Sequence, residues 1–404
     1  MSADLVPRTG AAALRSPDVS PSIEGRPGAG ERPIRKGDMR CRTLLIALLA
    51  ALAVAAGDAS RAAAGPNLIL GVDDDTARWV GMAGALGPVY KELGLQAVRV
   101  TMQWKPGEST LPPDDQTELD RALVATWGTR LVVAVDGPAD TPPADATGRA
   151  QYCGYVSSIL RRYWQVNDVV IWTEPNSSTF WRPQSTAPAA YEALLATCYD
   201  QLHALRPRVN VIAASAPHRS PAAWFRNLAA AYRGSARSAP IFDTVGHNAY
   251  PDNSAESPYA THKKNIDEGD YDRLVSVLQT AFAGTGQPAP GQRGVTIWYM
   301  EDGFQSTVAS GRRLYSGSET DRHAVSEAVQ AQQLSDAVKL AYCQPYVGAF
   351  FNFELRDETQ LSGWQSGLLR ADWTAKPAFY AFRDALVAVA HGQVSCPPRF
   401  AVGK

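Results

Sequence analysis

The chain reads as one α/β domain, a single (β/α)8 TIM barrel preceded by a signal peptide. Three observations predict the barrel. From Asn67 onward strand-like and helix-like runs alternate, the strand-like runs number eight, and polar and aromatic residues collect at one end of them. Alternation gives a parallel sheet, and eight parallel strands close into a barrel whose chemistry lies at the C-terminal strand ends.

The predicted strands are Leu68 to Val72, Ala97 to Met102, Arg130 to Val135, Asp168 to Trp172, Val209 to Ala214, Thr244 to Asn248, Val295 to Tyr299 and Gly348 to Phe353. Between them fall helical runs: Ala77 to Leu93, Gln116 to Thr126, Gln151 to Tyr163, Ala189 to Leu205, Ala222 to Tyr232, Tyr271 to Ala283 and Ser326 to Tyr342. Pro377 to Ala390 follows the eighth strand. An open doubly wound sheet is the rival, but it usually carries a Gly-rich phosphate turn after its first strand, where this chain has GVDDD. No nucleotide fingerprint, phosphate loop or metal-spaced His or Cys cluster is legible, so neither a cofactor nor a metal is expected.

A chain of 404 residues could hold two or three average domains, yet one barrel uses about 250 and more with insertions. Apolar content of 45% marks a globular protein, and the net charge of -1 gives no field to attract nucleic acid or an acidic membrane. Residues 1–38, rich in Pro, Gly, Ser and Arg, read as a disordered or untranslated extension. Residues 39–64 have the plan of a secretory signal: Arg40 and Arg42, an apolar run from Thr43 to Ala56, and small residues at Ala62 to Ala64. The run is short for a membrane span, although an uncleaved anchor is the alternative. A secreted protein spanning 65–404, with no stable membrane association, is expected.

Cys41 precedes the apolar run, which leaves Cys153, Cys198, Cys343 and Cys396. Four cysteines allow three pairings. The first two fall on consecutive predicted helices and the others near the ends of the last two, which favours 153 with 198 and 343 with 396. Four buried free thiols are the alternative, less in keeping with an oxidising compartment.

Candidate chemistry centres on VVIWTEPN, Val169 to Asn176, a buried strand running into a carboxylate. A second strand, VTIWYMEDG, ends at Glu301 on nearly the opposite side of an eight-membered ring. Two carboxylates facing across a barrel mouth suit glycosidic cleavage, in which one protonates the leaving oxygen while the other attacks the anomeric carbon. A separation of about 5 to 5.5 Å gives retention, and about 6.5 to 9.5 Å admits a water and gives inversion. The separation of the two carboxyls decides between these outcomes. Other strand ends supply Arg99 with Trp104, Asp136, and His247, Asn248 and Tyr250. Trp104, Trp181, Trp364 and Phe353 could stack on sugar rings or simply pack. Asp73 to Asp75 lack calcium-loop spacing and read as a solvated loop with a helix cap at Asp75. His203, His218, His262, His323 and His391 show no ligand spacing and read as surface or packing residues.

These segments resemble the clan of retaining glycoside hydrolases built on (β/α)8 barrels. WTEPN is similar to the clan's W-N-E-P-N signature, WYMEDGF to its strand-seven T-E-F-G segment, and HNAY to its His-x-x-Tyr segment. The likeness runs from Asn67 to Leu386, with the flavour of the xylosidase, iduronidase and cellulase-like branches. It implies that Glu174 is the acid/base and Glu301 the nucleophile, that Arg99 hydrogen-bonds the nucleophile, that Tyr250 holds it in line, and that His247 belongs to the sugar-binding rim. Asn176, Trp181 and Phe353 join Thr173 as expected substrate contacts, and the substrate is an oligo- or polysaccharide.

Two residues depart from the clan's pattern. Thr173 stands where an asparagine usually binds the sugar 2-hydroxyl, and a hydroxyl makes fewer bonds than an amide. Asp302 stands where an aromatic is more usual. A barrel that binds glycan without cleaving it is therefore the competing expectation, and transglycosylation by the same residues is a third.

Overall fold

A computed structural model describes residues 65–309 and 312–398. The extension 1–38 and the signal segment 39–64 lie outside the described residues. Eight strands run in order around a closed, wholly parallel barrel: β1 (Ile69–Asp73), β2 (Ala97–Gln103), β3 (Arg130–Asp136), β4 (Asp168–Ile171), β5 (Asn210–Ala213), β6 (Thr244–Asn248), β7 (Thr296–Asp302) and β8 (Val347–Phe353). β8 closes on β1 in continuous register from Ile69 opposite Ala349 to Asp73 opposite Phe353. Helices α1 (Ala83–Leu93), α2 (Pro113–Ala125), α3 (Ala146–Arg162), α4 (Ala187–Leu205), α5 (Pro221–Gly234), α6 (Tyr271–Ala281), α7 (Glu327–Cys343) and α8 (Pro377–Ala390) follow the strands in turn. No helix among the described residues is long and apolar enough to cross a membrane.

Strand alternation divides the core in two. Ala97, Val132, Ala134, Val170, Ile212, Trp298, Met300, Ala349 and Phe351 point inward and fill the barrel. Val98, Val100, Val133, Val135, Val169 and Ile171 point outward against the helices. The interior mixes small and very large side chains, so glycine is needed beside the large ones. A Cβ on Gly71 would fall 2.8 Å from the Phe351 ring, and one on Gly246 would fall 3.0 Å from Met300.

The predicted helix Ala77 to Leu93 is split. The Asp74 carboxylate accepts the Thr76 N–H at 2.7 Å and starts a 3-10 turn over Asp75–Arg78. Gly81 at a φ of 79° then breaks the chain before α1 begins. Trp79 and Val80, 49% and 78% exposed, have no core to face there. Both expected disulfides are in place, with sulfurs 1.99 Å apart for Cys153–Cys198 and 2.10 Å for Cys343–Cys396. The first joins α3 to α4, and the second pins the segment after α8 to the end of α7.

Candidate active site

The C-terminal strand ends surround a cavity of about 1230 Å³. The alternation that fills the barrel below also lines this mouth. On β2, Ala97 faces the interior, so Arg99, Thr101 and Gln103 follow it up the same face and reach the cavity. Asp136 continues the inward row of Val132 and Ala134, and Phe353 that of Ala349 and Phe351.

Glu174 reaches the mouth through a sharp turn. β4 stops at Ile171, one residue earlier than expected, because Trp172 and Glu174 both have positive φ, 65° and 36°. Non-glycine residues adopt such angles at a cost of order 1–3 kcal/mol each, sustained only where packing enforces them. Here the enforcing contact is Trp172, fully buried, its ring edge-on to Trp181 at 5.4 Å and its indole N–H donating to the Phe180 carbonyl at 2.8 Å. The indole is thereby turned into the helix layer and Glu174 toward the cavity.

Glu301 reaches the mouth by a different device. In β7, Trp298 and Met300 face inward while Tyr299 faces the helices, where its hydroxyl donates to Gln344 at 2.6 Å. Strict alternation would send Glu301 outward as well. The register instead slips: His247 pairs with Tyr299 but Asn248 pairs with Glu301, leaving Met300 as a bulge. Two consecutive side chains thus face inward, the usual consequence of a bulge beside a functional site. The strand continues to Asp302, three residues past the expected end, and Asp302 is fully buried.

The two carboxyls sit in unlike surroundings. Arg99 donates to Glu301 Oε1 at 2.7 Å and also pairs with Asp73, and the Tyr250 hydroxyl donates to Glu301 Oε2 at 3.2 Å. Glu174 accepts one hydrogen bond, from Asn248 Nδ2 at 2.8 Å. Burial, with the Glu301 charge adding to it, pushes the Glu174 carboxyl up to about 7, and the Asn248 bond and Arg99 only partly offset this. Asp136 is likewise pushed up to about 7 by burial, with Gly137 N–H and Arg99 opposing. One of its oxygens has no hydrogen-bond partner. Glu354, on the loop after β8, is pushed up to about 10 by burial and by Asp74. The mouth therefore holds several carboxyls and one buried guanidinium.

Of the other expected contacts, Thr173 lines the cavity with its hydroxyl unpartnered, and Phe353 and Tyr250 form an aromatic wall with Trp364. Three residues are not brought to the cavity. His247 points away from it, fully buried, with Nδ1 2.8 Å from Ser215 Oγ and Nε2 2.7 Å from the Ile266 carbonyl. Burial pushes the His247 ring down to about 4, so it is a neutral staple holding the β6 loop. Asn176 accepts the Ala216 N–H at 2.8 Å and donates to the Ala216 and His218 carbonyls at 3.3 Å, clamping the loop after β5. Trp181 is fully buried between Trp172 and Tyr191.

The aspartate run is also corrected. Asp73 and Asp74 are each 5% exposed, and it is Asp74 that caps the turn while also accepting the Leu355 N–H at 3.0 Å. Asp75 accepts the Thr101 N–H at 2.7 Å. Protein partners replace solvent at Asp73 and Asp74, while the Asp75 side chain stays 38% exposed. Asn248 is the site residue the clan motif underrates, since the motif favours His247. The inward position of Gly246 on the same strand would have picked out Asn248.

Neither a protein-family model nor a curated protein sequence matches the chain. Solved structures do. A family 39 glycoside hydrolase from the gut symbiont Bacteroides cellulosilyticus WH2 superposes with a TM-score of 0.58 at 15% identity, over 81% of this chain and 64% of that one. The chain shares their barrel. GH5_18 from Streptomyces cattleya, solved in complex with GlcNAc, gives 0.55 at 15% identity over 82% and 81%, and a monomeric β-xylosidase from Caulobacter crescentus CB15 gives 0.52 at 19% over 81% and 69%. Likeness at this identity establishes the fold, and the chain spans slightly less than two thirds of the first of these proteins.

Proposed function

We propose that the chain is a secreted retaining glycoside hydrolase acting on an oligo- or polysaccharide. The observation that carries this reading is the asymmetry of the two carboxyls in one cavity: Glu174 raised to about 7 by burial, Glu301 gripped by Arg99 and Tyr250. An acid poised near neutral pH beside a fixed carboxylate is the pairing that retaining cleavage requires. That the solved structures with this barrel include glycoside hydrolases supports the reading, as do two disulfides for export after loss of residues 39–64.

In the proposed cycle the Glu174 carboxylic acid gives its proton to the glycosidic oxygen as a Glu301 oxygen attacks the anomeric carbon. The leaving group departs as an alcohol and an ester links the sugar to Glu301. Tyr250 shifts its hydrogen bond as that oxygen becomes esterified. Glu174, now a carboxylate, takes a proton from water, the hydroxyl attacks the same carbon, and Glu301 is released. This chemistry expects the two carboxyls about 5 to 5.5 Å apart.

The test is incubation of the full chain and of Glu301→Ala with a panel of aryl glycosides and polysaccharides, with proton NMR of the first anomer formed. Turnover by the wild type alone, with retained configuration, supports the proposal. Inversion would remove Glu301 as nucleophile. Glycan binding without turnover of any substrate would leave the binding-only barrel, a reading to which the Thr173 hydroxyl lends some weight.

A further inference from the structure

Two segments with no ligand spacing in sequence converge on one wall of the cavity. His218 comes from the loop after β5, and Asp252, Glu256, His262 and Asp267 come from the long loop 249–267 after β6. His218, Asp252 and Asp267 can each offer one ligand atom such that all lie within 4.8 Å of one another. Asp252, Glu256 and His262 form an overlapping set. His218 Nε2 is 3.2 Å from Asp252 Oδ1, and His262 Nε2 is 3.0 Å from Asp267 Oδ2.

The imidazoles stand at ion-pair distance from the carboxylates, and Asn265 Nδ2 donates to Asp252 Oδ1, yet several of the polar atoms lack an aligned hydrogen bond. His218 Nε2, His262 Nε2 and both Asp267 oxygens are buried and have no aligned hydrogen-bond partner. Asp267 is only 4% exposed, and the nearby Asp270 N–H is taken by the Asp267 main-chain carbonyl at 3.0 Å. Among the described residues no Lys or Arg pairs with Asp252, Glu256 or Asp267, since Arg273 is engaged by Asp270 and by the Lys263 and Asn265 carbonyls. Buried carboxylate oxygens with no aligned donor and no Lys or Arg beside them are costly. Ligand atoms set about 2.0 to 2.2 Å from a tetrahedral zinc ion lie about 3.3 to 3.6 Å from one another, close to the 3.2 Å between His218 Nε2 and Asp252 Oδ1 and within the 4.8 Å that bounds the set.

We propose that His218, Asp252 and Asp267 bind a divalent cation of the zinc class. Imidazole nitrogens select a transition metal over calcium or magnesium. The site would clasp the loop carrying Tyr250 to the loop after β5, beside the existing bond from Ile266 N–H to the Pro217 carbonyl at 2.9 Å. The cation has no part in the proposed glycosidic chemistry, so its test stands apart from activity.

The full chain, stripped with chelator, is titrated calorimetrically with zinc, manganese and calcium chlorides, and bound metal is counted after dialysis. One zinc per chain is expected, with manganese weaker and calcium absent. Asp267→Asn and His218→Ala each lower zinc affinity by at least about tenfold, the smallest loss expected for a ligand when removing only a ligand's supporting hydrogen bond costs 10–100-fold. His203→Ala, at the separate surface pair with Asp243, leaves binding unchanged. Zinc also slows tryptic cleavage at the exposed Lys263 and Lys264 in wild type but not in His218→Ala. If Asp267→Asn fails to fold, His218→Ala carries the comparison, because that ring is 38% exposed. Absence of stoichiometric zinc on the wild type, or zinc retained by His218→Ala, overturns the site. Unchanged proteolysis overturns its role as a clasp.

Discussion

Glu174 and Glu301 stand across one barrel mouth, yet the two sides of that mouth are built on different principles. The β7 side is a strand with a bulge, and it presents its carboxylate to a buried guanidinium and a phenol. The β4 side is a strained turn, and it presents its carboxyl to an amide and to low-dielectric surroundings. The same residue type is thereby given two chemical characters by its neighbours alone. For Glu174 burial and neighbours set the protonation state, whereas the strand end decides only position.

The largest way to break the comparison is Glu301→Ala. It should lower kcat by roughly 10⁴-fold or more in steady-state assays of aryl glycosides, because the proposed ester forms on Glu301. A variant keeping a tenth of wild-type activity would end the nucleophile assignment. Glu174→Gln should be selective instead. For substrates with poor leaving groups kcat/KM falls about 10²–10⁴-fold, while for activated aryl glycosides, which need little protonation, it falls far less. Equal losses on both would contradict an acid role.

Glu174→Gln also reports on stability. The folded carboxyl titrates near 7 against 4.5 for the free group, so the folded state holds its proton where the unfolded chain has lost it. Stability from this group is therefore present at low pH and lost as pH rises from about 4.5 to 7. The uncharged glutamine escapes that loss. Urea unfolding at pH 8 should find the variant more stable than wild type by up to about 3 kcal/mol, with the gap closing by pH 4.5. A smaller effect is expected on the other side: Tyr250→Phe removes one hydrogen bond to Glu301 and should cost about tenfold in kcat, with little change in the pH profile.

Much of this was legible in the chain, because period and strand-end chemistry are local properties. Eight buried runs gave eight strands, and Glu174, Glu301, Arg99, Thr173, Tyr250 and Phe353 all line one cavity. What escaped depended on facing. His247 and Asn248 are adjacent in sequence and opposite in direction, and only the inward neighbours of β6 distinguish them. The Met300 bulge and the pairing of Asp73 with Arg99 arise from the register of neighbouring strands, and the early stop at Ile171 from the packing of Trp172 on Trp181. Asn176 and Trp181 sit in a motif that looks catalytic, but their work is to brace the turn beneath it.

Asn248→Ala gives the finest test of the two-sided mouth. Among the described residues its amide is the one hydrogen-bond donor to the Glu174 carboxyl, and it acts against burial and against the Glu301 charge. Removing it leaves those two influences less opposed, so the acid must hold its proton to higher pH. The basic limb of the kcat/KM profile should move upward by about half to one pH unit, the worth of one ordinary hydrogen bond. Tyr250→Phe, acting on Glu301, should leave that limb where it is. A limb that moves downward in Asn248→Ala, or moves equally in both variants, would mean that the limb belongs to another carboxyl of the mouth, with Asp136, also near 7, the first to test by Asp136→Asn.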